Sequence, residues 1–291
     1  MGGFDMRFEE YFEPASIEEC LKLKQQFGAD AAIIAGGTDV VPKLKSGDLK
    51  PKAVISLHRI PELDDIDITD SGLKLGACTG LRKISLAEEL DADYSVVREA
   101  VGRVSSMQIR NTATIGGNVC NAAPSADAVQ GLMLLDALCL IKDKDGLTEK
   151  PISEFFTGPG ETVLEETQLV TGFFIPKPAP ETGAAYIKYA IRGNTDISIV
   201  GVGAAISLDA GGIVDKARIS LAAVAPTPIR ATDAEKVLEG SEAGEADIER
   251  AAELAADGCS PISDQRASAE YRKEMVRIQC KLAIEKAISR M

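Results

Sequence analysis

Two glycine pairs constrain this chain more than any other feature. The first lies in the run Ala32, Ile33, Ile34, Ala35, Gly36, Gly37, Thr38, Asp39, Val40. The second, Gly116-Gly117, lies within residues 110–127, preceded by Ala113, Thr114 and Ile115 and followed by Asn118. Each pair follows an apolar stretch and leads into small polar residues. Glycine allows positive φ and lets bare N–H groups approach a ligand closely. Successive inward-turned N–H groups form a concavity that suits an anion, most often a phosphate. Two such concavities suggest a diphosphate gripped from two sides, and so a dinucleotide. Gly36, Gly37 and Thr38 would supply N–H groups and a hydroxyl on one side, and Thr114, Gly116, Gly117 and Asn118 on the other. Asp127 reads as a free carboxylate able to accept from sugar-like hydroxyls. The same pairs read equally well as tight turns at strand ends. Neither G-x-G-x-x-G nor the P-loop pattern occurs, so the two usual phosphate-binding fingerprints are absent.

The rest of the composition narrows the chemistry. At 291 residues there is room for two domains. A net charge of −13 argues against nucleic acid or an anionic membrane as partner. No run of about 18 apolar residues exists to span a bilayer. Residues 1–13 lack the basic-then-apolar layout of a secretion signal, so a cytoplasmic location is expected. The six cysteines, at 20, 78, 120, 139, 259 and 280, include no C-x-x-C spacing; they read as free thiols in cores, with no metal site. A single histidine, His58, leaves a Ser-His-Asp triad improbable and reads as a strand-end or loop residue. No catalytic side chain is expected.

Periodicity predicts a helix capped by Ser16, a strand at 33–34, a basic loop over 43–52, a strand at 54–57 and a hairpin over 64–80. A helix over 94–106, another opened by Pro124 and Ser125, and strands near 138–141 and 169–175 follow. Residues 177–183, with two prolines and a glycine, read as a linker. Beyond it come two apolar strands joined at Gly211-Gly212. A capping box at Thr232 to Glu235 and two further helices complete the chain. The last helix carries Tyr271, Met275, Ile278 and Leu282 at 4-3-4 spacing. This is an α+β chain: a mixed region to about residue 176, then a β-then-α domain.

The flanks of the glycine pairs sharpen this. Residues 33–40 (IIAGGTDV), 108–121 (QIRNTATIGGNVCN) and Ala126-Asp127 closely resemble the FAD-binding medium subunit of bacterial molybdenum hydroxylases, of the xanthine dehydrogenase and carbon monoxide dehydrogenase kind. The resemblance continues through 156–160 (FTGPG), 188–192 (KYAIR) with Asp196-Ile197-Ser198, 223–230 (AVAPTPIR) and 268–272 (SAEYR), in order along nearly the whole chain. It implies a two-part flavin-binding domain of the vanillyl-alcohol-oxidase (PCMH) type over 1–176, split near 58–62. A C-terminal flavoprotein domain of antiparallel sheet plus helices would cover 184–291. By this resemblance residues 32–40 and 113–118 would hold the FAD diphosphate non-covalently. Asp127 would contact the ribityl chain, and Leu169, Ile187 and Lys188 would lie near the flavin. Arg110 and Asn111 would brace the loop, and Lys188 and Arg192 read equally as surface ion pairs.

The function implied is an electron relay. A molybdopterin-binding large subunit would hydroxylate the substrate, and a small subunit with two 2Fe-2S clusters would pass electrons to FAD here. NAD+ or another acceptor would take them onward. A stand-alone flavin reductase of the same superfamily, such as that of cell-wall precursor synthesis, is the competing enzyme reading. A flavin-free scaffold is the third.

Overall fold

The computed structural model describes residues 8–192 and 195–291; the first seven residues, part of the segment inspected for a secretion signal, lie outside them. The chain begins with β1 (Glu10–Phe12), α1 (Ile17–Phe27), β2 (Ala31–Ile34), α2 (Val40–Ser46) and β3 (Ala53–Ser56). Ser16 caps α1 by accepting from the Glu19 N–H at 3.2 Å. The three strands form a parallel sheet in the order β1-β3-β2. Every residue of β3 is buried, as a strand covered on both faces requires. Ile55 packs with Cys20 and Leu21 of α1, and Val54 with Leu44 of α2.

Helix α2 stands where a loop was expected from 43 onward. Pro42 falls in its first turn, where a missing N–H costs little. Leu44 is buried against Ala32 and Val54, and Gly47 ends the helix at φ 79°. Burial of one leucine thus overrides a basic, loop-like composition.

The second unit is larger. In chain order it holds β4 (Ile66–Thr69), β5 (Gly72–Gly76), α3 (Leu81–Leu86), α4 (Ser95–Gly102), α5 (Met107–Arg110), α6 (Ile115–Cys120) and α7 (Asp127–Leu134). Then come β6 (Leu138–Lys142), β7 (Leu147–Pro151), β8 (Phe156–Gly158), β9 (Glu161–Thr162) and β10 (Leu169–Pro176). Five strands make an antiparallel sheet in the order β4-β5-β10-β6-β7, while β8 and β9 pair only with each other. The helices cover this sheet and bury Leu73, Leu75, Phe155 and Phe173 completely.

The remainder comprises β11 (Thr182–Tyr189), β12 (Val200–Leu208), β13 (Val214–Ala222), β14 (Ile229–Arg230), α8 (Thr232–Leu238), α9 (Glu245–Asp257) and α10 (Ala269–Ile288). Its four strands form an antiparallel sheet in sequence order. Thr182 and Gly183 belong to β11, so the connecting segment is residues 177–181. The capping box expected at Thr232 does not form. Ala231 holds the cap position without a side-chain bond, and Glu235 turns instead to Arg230 and the Ile219 N–H. On α10, Tyr271, Ile278 and Leu282 stay exposed, and of the expected stripe only Met275 is buried. The buried face is Arg272, Met275, Val276, Gln279, Cys280, Ala283, Ile284 and Ala287, shifted around the helix because α9 and β12 meet it there.

Helix α7 ties the molecule together. All eight of its residues are buried, between α4 and α6 on one side and β11, β12 and β13 on the other.

Candidate cofactor site

The first glycine pair is the turn from β2 into α2. Gly37 has φ 72°, a conformation that excludes most side chains. No described residue accepts from the N–H groups of Gly36, Gly37, Thr38, Asp39 or Val40. Five consecutive donors are thus left for something else, at the positive end of a helix. Ile33 and Ala35 lean toward the α1 core, while Ala32, Ile34 and Val40 join the α2 core.

The second pair is built differently. It lies inside the first turn of α6, not in a loop, and Thr114 caps that turn. Its N–H groups are already engaged. Ile115 donates to the Thr79 carbonyl at 3.0 Å, Gly116 to that of Ala77 at 2.8 Å, and Asn118 to that of Thr114 at 3.0 Å. Gly117 donates to Thr114 Oγ1 at 3.1 Å. The second nest expected from Gly116, Gly117 and Asn118 therefore does not exist. What this segment supplies is a wall: Ala113 to Gly116 are buried, Gly117 is exposed, and the buried Asn118 Oδ1 has no partner among the described residues. The two segments do meet. A Cβ on Gly36 would lie 2.1 Å from the Thr112 carbonyl oxygen, so only glycine lets them touch. Asn121 Nδ2 reaches Asp39 Oδ1 at 3.4 Å across the same junction. Arg110 braces the approach, donating to the Val104 and Ser105 carbonyls at 2.8 and 2.9 Å.

Asp127 is not free. At 5% exposure its Oδ1 accepts from Tyr186 Oη at 2.6 Å and Ser198 Oγ at 2.9 Å, and its Oδ2 from Lys188 Nζ at 2.7 Å. Burial lifts its carboxyl above the usual range, while Lys188 and the two hydroxyls pull it back. The same burial, with Asp127 beside it, pushes the Tyr186 phenol well above its ordinary value. The Lys188 pair is therefore internal rather than superficial, whereas Arg192, paired with Asp196, stays 75% exposed. Tyr186 and Ser198 carried no local signal, being 59 and 71 residues from Asp127 in the chain. Leu169 is buried in the cluster that also receives Ile33 and Ala35, close to the first glycine pair. Ile187 packs against the core under the C-terminal sheet instead.

Among the described residues no group of cysteine, histidine or carboxylate side chains is placed to hold a metal ion, and no helix is long and apolar enough to cross a membrane. Cys20, Cys139, Cys259 and Cys280 are buried as expected; Cys78 is half-buried and Cys120 exposed. Burial pushes the Cys20 thiol up to about 11 and that of Cys78 to about 12, which keeps both unreactive.

A dinucleotide fits this donor set. Five unpaired N–H groups suit a diphosphate, and the glycine-only contact at Gly36 holds the second segment against the turn that presents them. Residues 5–178 match the family model of the FAD binding domain in molybdopterin dehydrogenase, and residues 185–287 that of the CO dehydrogenase flavoprotein C-terminal domain. The xanthine dehydrogenase FAD-binding subunit of Escherichia coli O157:H7 is 31% identical over 284 residues, 97% of either chain. The carbon monoxide dehydrogenase medium chain of Hydrogenophaga pseudoflava is 31% identical, covering 98% of both. The solved structure of that organism's carbon monoxide dehydrogenase, lacking the Mo-pyranopterin moiety, superposes with a TM-score of 0.93 at 32% identity, over 98% of each chain. This chain, an oxidoreductase component built on an FAD-binding domain, therefore belongs to the FAD-subunit family of the molybdenum hydroxylases.

Proposed function

We propose that this chain is the electron-relay subunit of a molybdenum hydroxylase complex, taking electrons from 2Fe-2S clusters of a small partner and delivering them to NAD+ or another acceptor. The substrate would be hydroxylated in a molybdopterin-binding large partner. The observation that supports this reading most is the run of five unpaired N–H groups at Gly36 to Val40. Bound FAD supplies the redox chemistry, and the protein supplies binding, orientation and electrostatics.

The grip on the cofactor is asymmetric. Gly36 to Val40 donate to the diphosphate, with Ala32 to Ala35 forming the strand that aims them. Ala113 to Asn118 close the opposite side by shape, contributing the Asn118 amide. Leu169 offers an apolar wall next to Ile33 and Ala35. Asp127 and Lys188, joined to Tyr186 and Ser198, hold the C-terminal sheet in place beside α7. Of these, Lys188 and Asp127 orient the wall rather than act as free ligands.

The test is on the purified full chain. It should be yellow, and acid precipitation should release its flavin to the supernatant, because no cysteine or histidine stands in a recognised linkage position. Colourless protein that takes up no FAD would overturn the reading. Co-expression with its native neighbours should yield a complex with one larger and one smaller chain. Substrate-linked turnover by this chain alone would favour the stand-alone reductase.

A further inference from the structure

Three arginines stand apart from the rest. Every other described arginine has a carboxylate within ion-pair distance. Arg82, Arg103 and Arg110 have none among the described residues, although acidic residues outnumber basic ones 45 to 32. The fold gathers these three. Arg110 closes α5, and its Nη1 donates to the Val104 and Ser105 carbonyls at 2.8 and 2.9 Å, directly after Arg103 at the end of α4. Arg82 lies in the first turn of α3, which packs on α5, and the neighbouring Leu81 N–H donates to the Ala113 carbonyl at 2.9 Å. Burial and then the charge of Arg82 lower the Arg110 pKa, in keeping with two guanidinium groups close together. Between Arg103 and Arg110 no residue of α5 is buried, and Met107 and Ile109 are 49% and 37% exposed. An apolar centre rimmed by unpaired arginines has the composition of a protein-docking surface, where Arg and Met are enriched. Its place is equally specific. Two residues past Arg110, the Thr112 carbonyl lies against Gly36, at the turn that presents the five free N–H groups.

We propose that α5, with Arg82, Arg103 and Arg110 around it, is the docking surface for the iron–sulfur partner, met there by a carboxylate-rich rim on that protein. The assignment rests on the electron-relay reading. Electrons pass only between cofactors held close together, and this surface adjoins the segment that closes the cofactor cleft. A 2Fe-2S cluster held by cysteine thiolates is itself net negative, so the charge of the patch favours it. The chain as a whole, at −13, repels such a partner elsewhere and steers it to this patch. A second copy of this chain does not suit, because a two-fold contact would set arginines against arginines. A small anion does not suit either: Arg110 already directs Nη1 to backbone carbonyls, and Arg103 is exposed.

The experiment titrates the flavin-loaded full chain against the immobilised iron–sulfur chain encoded beside it, at low and at high salt. Wild-type binding should weaken as salt rises, as a charge-steered contact does. Arg103→Glu and Met107→Asp, both at exposed positions, should each weaken it by about 10- to 100-fold, the range of a central interface residue. Lys273→Glu, an equal change of charge at an exposed position on α10, should leave binding unchanged. All three variants should stay yellow and melt with wild type, since none loses a buried side chain or an ion pair. Unchanged partner affinity in either Arg103→Glu or Met107→Asp, or an equal loss in Lys273→Glu, overturns the assignment. So does loss of flavin from Arg103→Glu or Met107→Asp, which would make the surface part of the cofactor site. Wild type that holds FAD yet binds no iron–sulfur chain would instead overturn the relay reading, and colourless wild type the cofactor reading.

Discussion

At the residue scale, two adjacent glycines act for different reasons. Gly36 is required by proximity: its Cα faces the Thr112 carbonyl, and a Cβ there would sit 2.1 Å from the oxygen. Gly37 is required by conformation, with φ 72° and only side-chain ends of Ile34 and Val41 near its Cβ position, at 3.1 Å. Gly36→Ala should therefore push the two glycine-pair segments apart. It should cost about 1–3 kcal/mol in denaturant unfolding, as overpacking does, and abolish flavin retention. Gly37→Val should cost about 1–2 kcal/mol from the left-handed backbone alone and also lose flavin. A Gly36→Ala protein that stays fully yellow would contradict a glycine-only contact between these segments. Both glycines were legible in the sequence as special, but the reason for Gly36 was not. It depends on a carbonyl 76 positions further along the chain, at Thr112.

At the element scale, α6 and α7 show how short helices are held by their ends and faces. Helix α6 has only six residues, two of them glycine, so propensity cannot sustain it. Thr114 Oγ1 holds its first turn, and the Ala77 and Thr79 carbonyls pin it to the segment after β5. Thr114→Ala should cost about 1 kcal/mol and reduce flavin occupancy, since the wall it caps would fray. Helix α7 begins at a buried carboxylate. Lys188→Met would leave Asp127 charged and without its cation, an expected loss of about 3–5 kcal/mol. The double variant Asp127→Asn, Lys188→Met should recover much of that, because no lone charge remains buried. A loss in the double variant equal to the sum of the two single losses would show that the pair carries no coupling. The local pattern correctly indicated a helix after Pro124 and Ser125. It left Asp127 reading as a free carboxylate because its partners Tyr186, Lys188 and Ser198 lie 59, 61 and 71 positions away.

At the scale of the whole molecule, two carboxylates of the first half clamp cations of the second. Asp136 accepts from Arg218, Arg230 and Lys216 at 2.7–3.1 Å. Glu99 accepts from Lys286 and Arg290, each at 2.7 Å, and from the Tyr186 N–H at 3.1 Å. Burial works against the charged form at both sites, yet the bonds from Lys216 and Arg218, and from Arg290 and Lys286, hold both carboxyls below their ordinary values. Folding therefore favours the ionised form. The stabilisation is complete above the unfolded values of about 4 and is lost as pH falls through the lower folded ones. Thermal melts from pH 7 down to pH 3 should show a steep loss below about pH 4. Asp136→Asn with Glu99→Gln should lower the melting temperature at neutral pH and flatten that acid limb. An unchanged pH profile in the double variant would rule these clamps out.

The sequence by itself determined the elements with strong periodicity and the order of sheet and helix units, and it singled out residues 32–40 and 113–118 by their glycine pairs. These are local properties: spacing, capping residues and glycine pairs act within a few positions. Tertiary structure alone decided which N–H groups remain free. The Ala77 carbonyl, from a different strand end, takes the Gly116 N–H while Thr114 Oγ1 takes that of Gly117, and the N–H groups of the first pair stay open. It also decided that Asp127 is an internal acceptor, that 43–46 is helical, and that Tyr271, Ile278 and Leu282 face outward. Hydrogen-bond satisfaction and burial are settled by groups distant in sequence, and no window along the chain contains them.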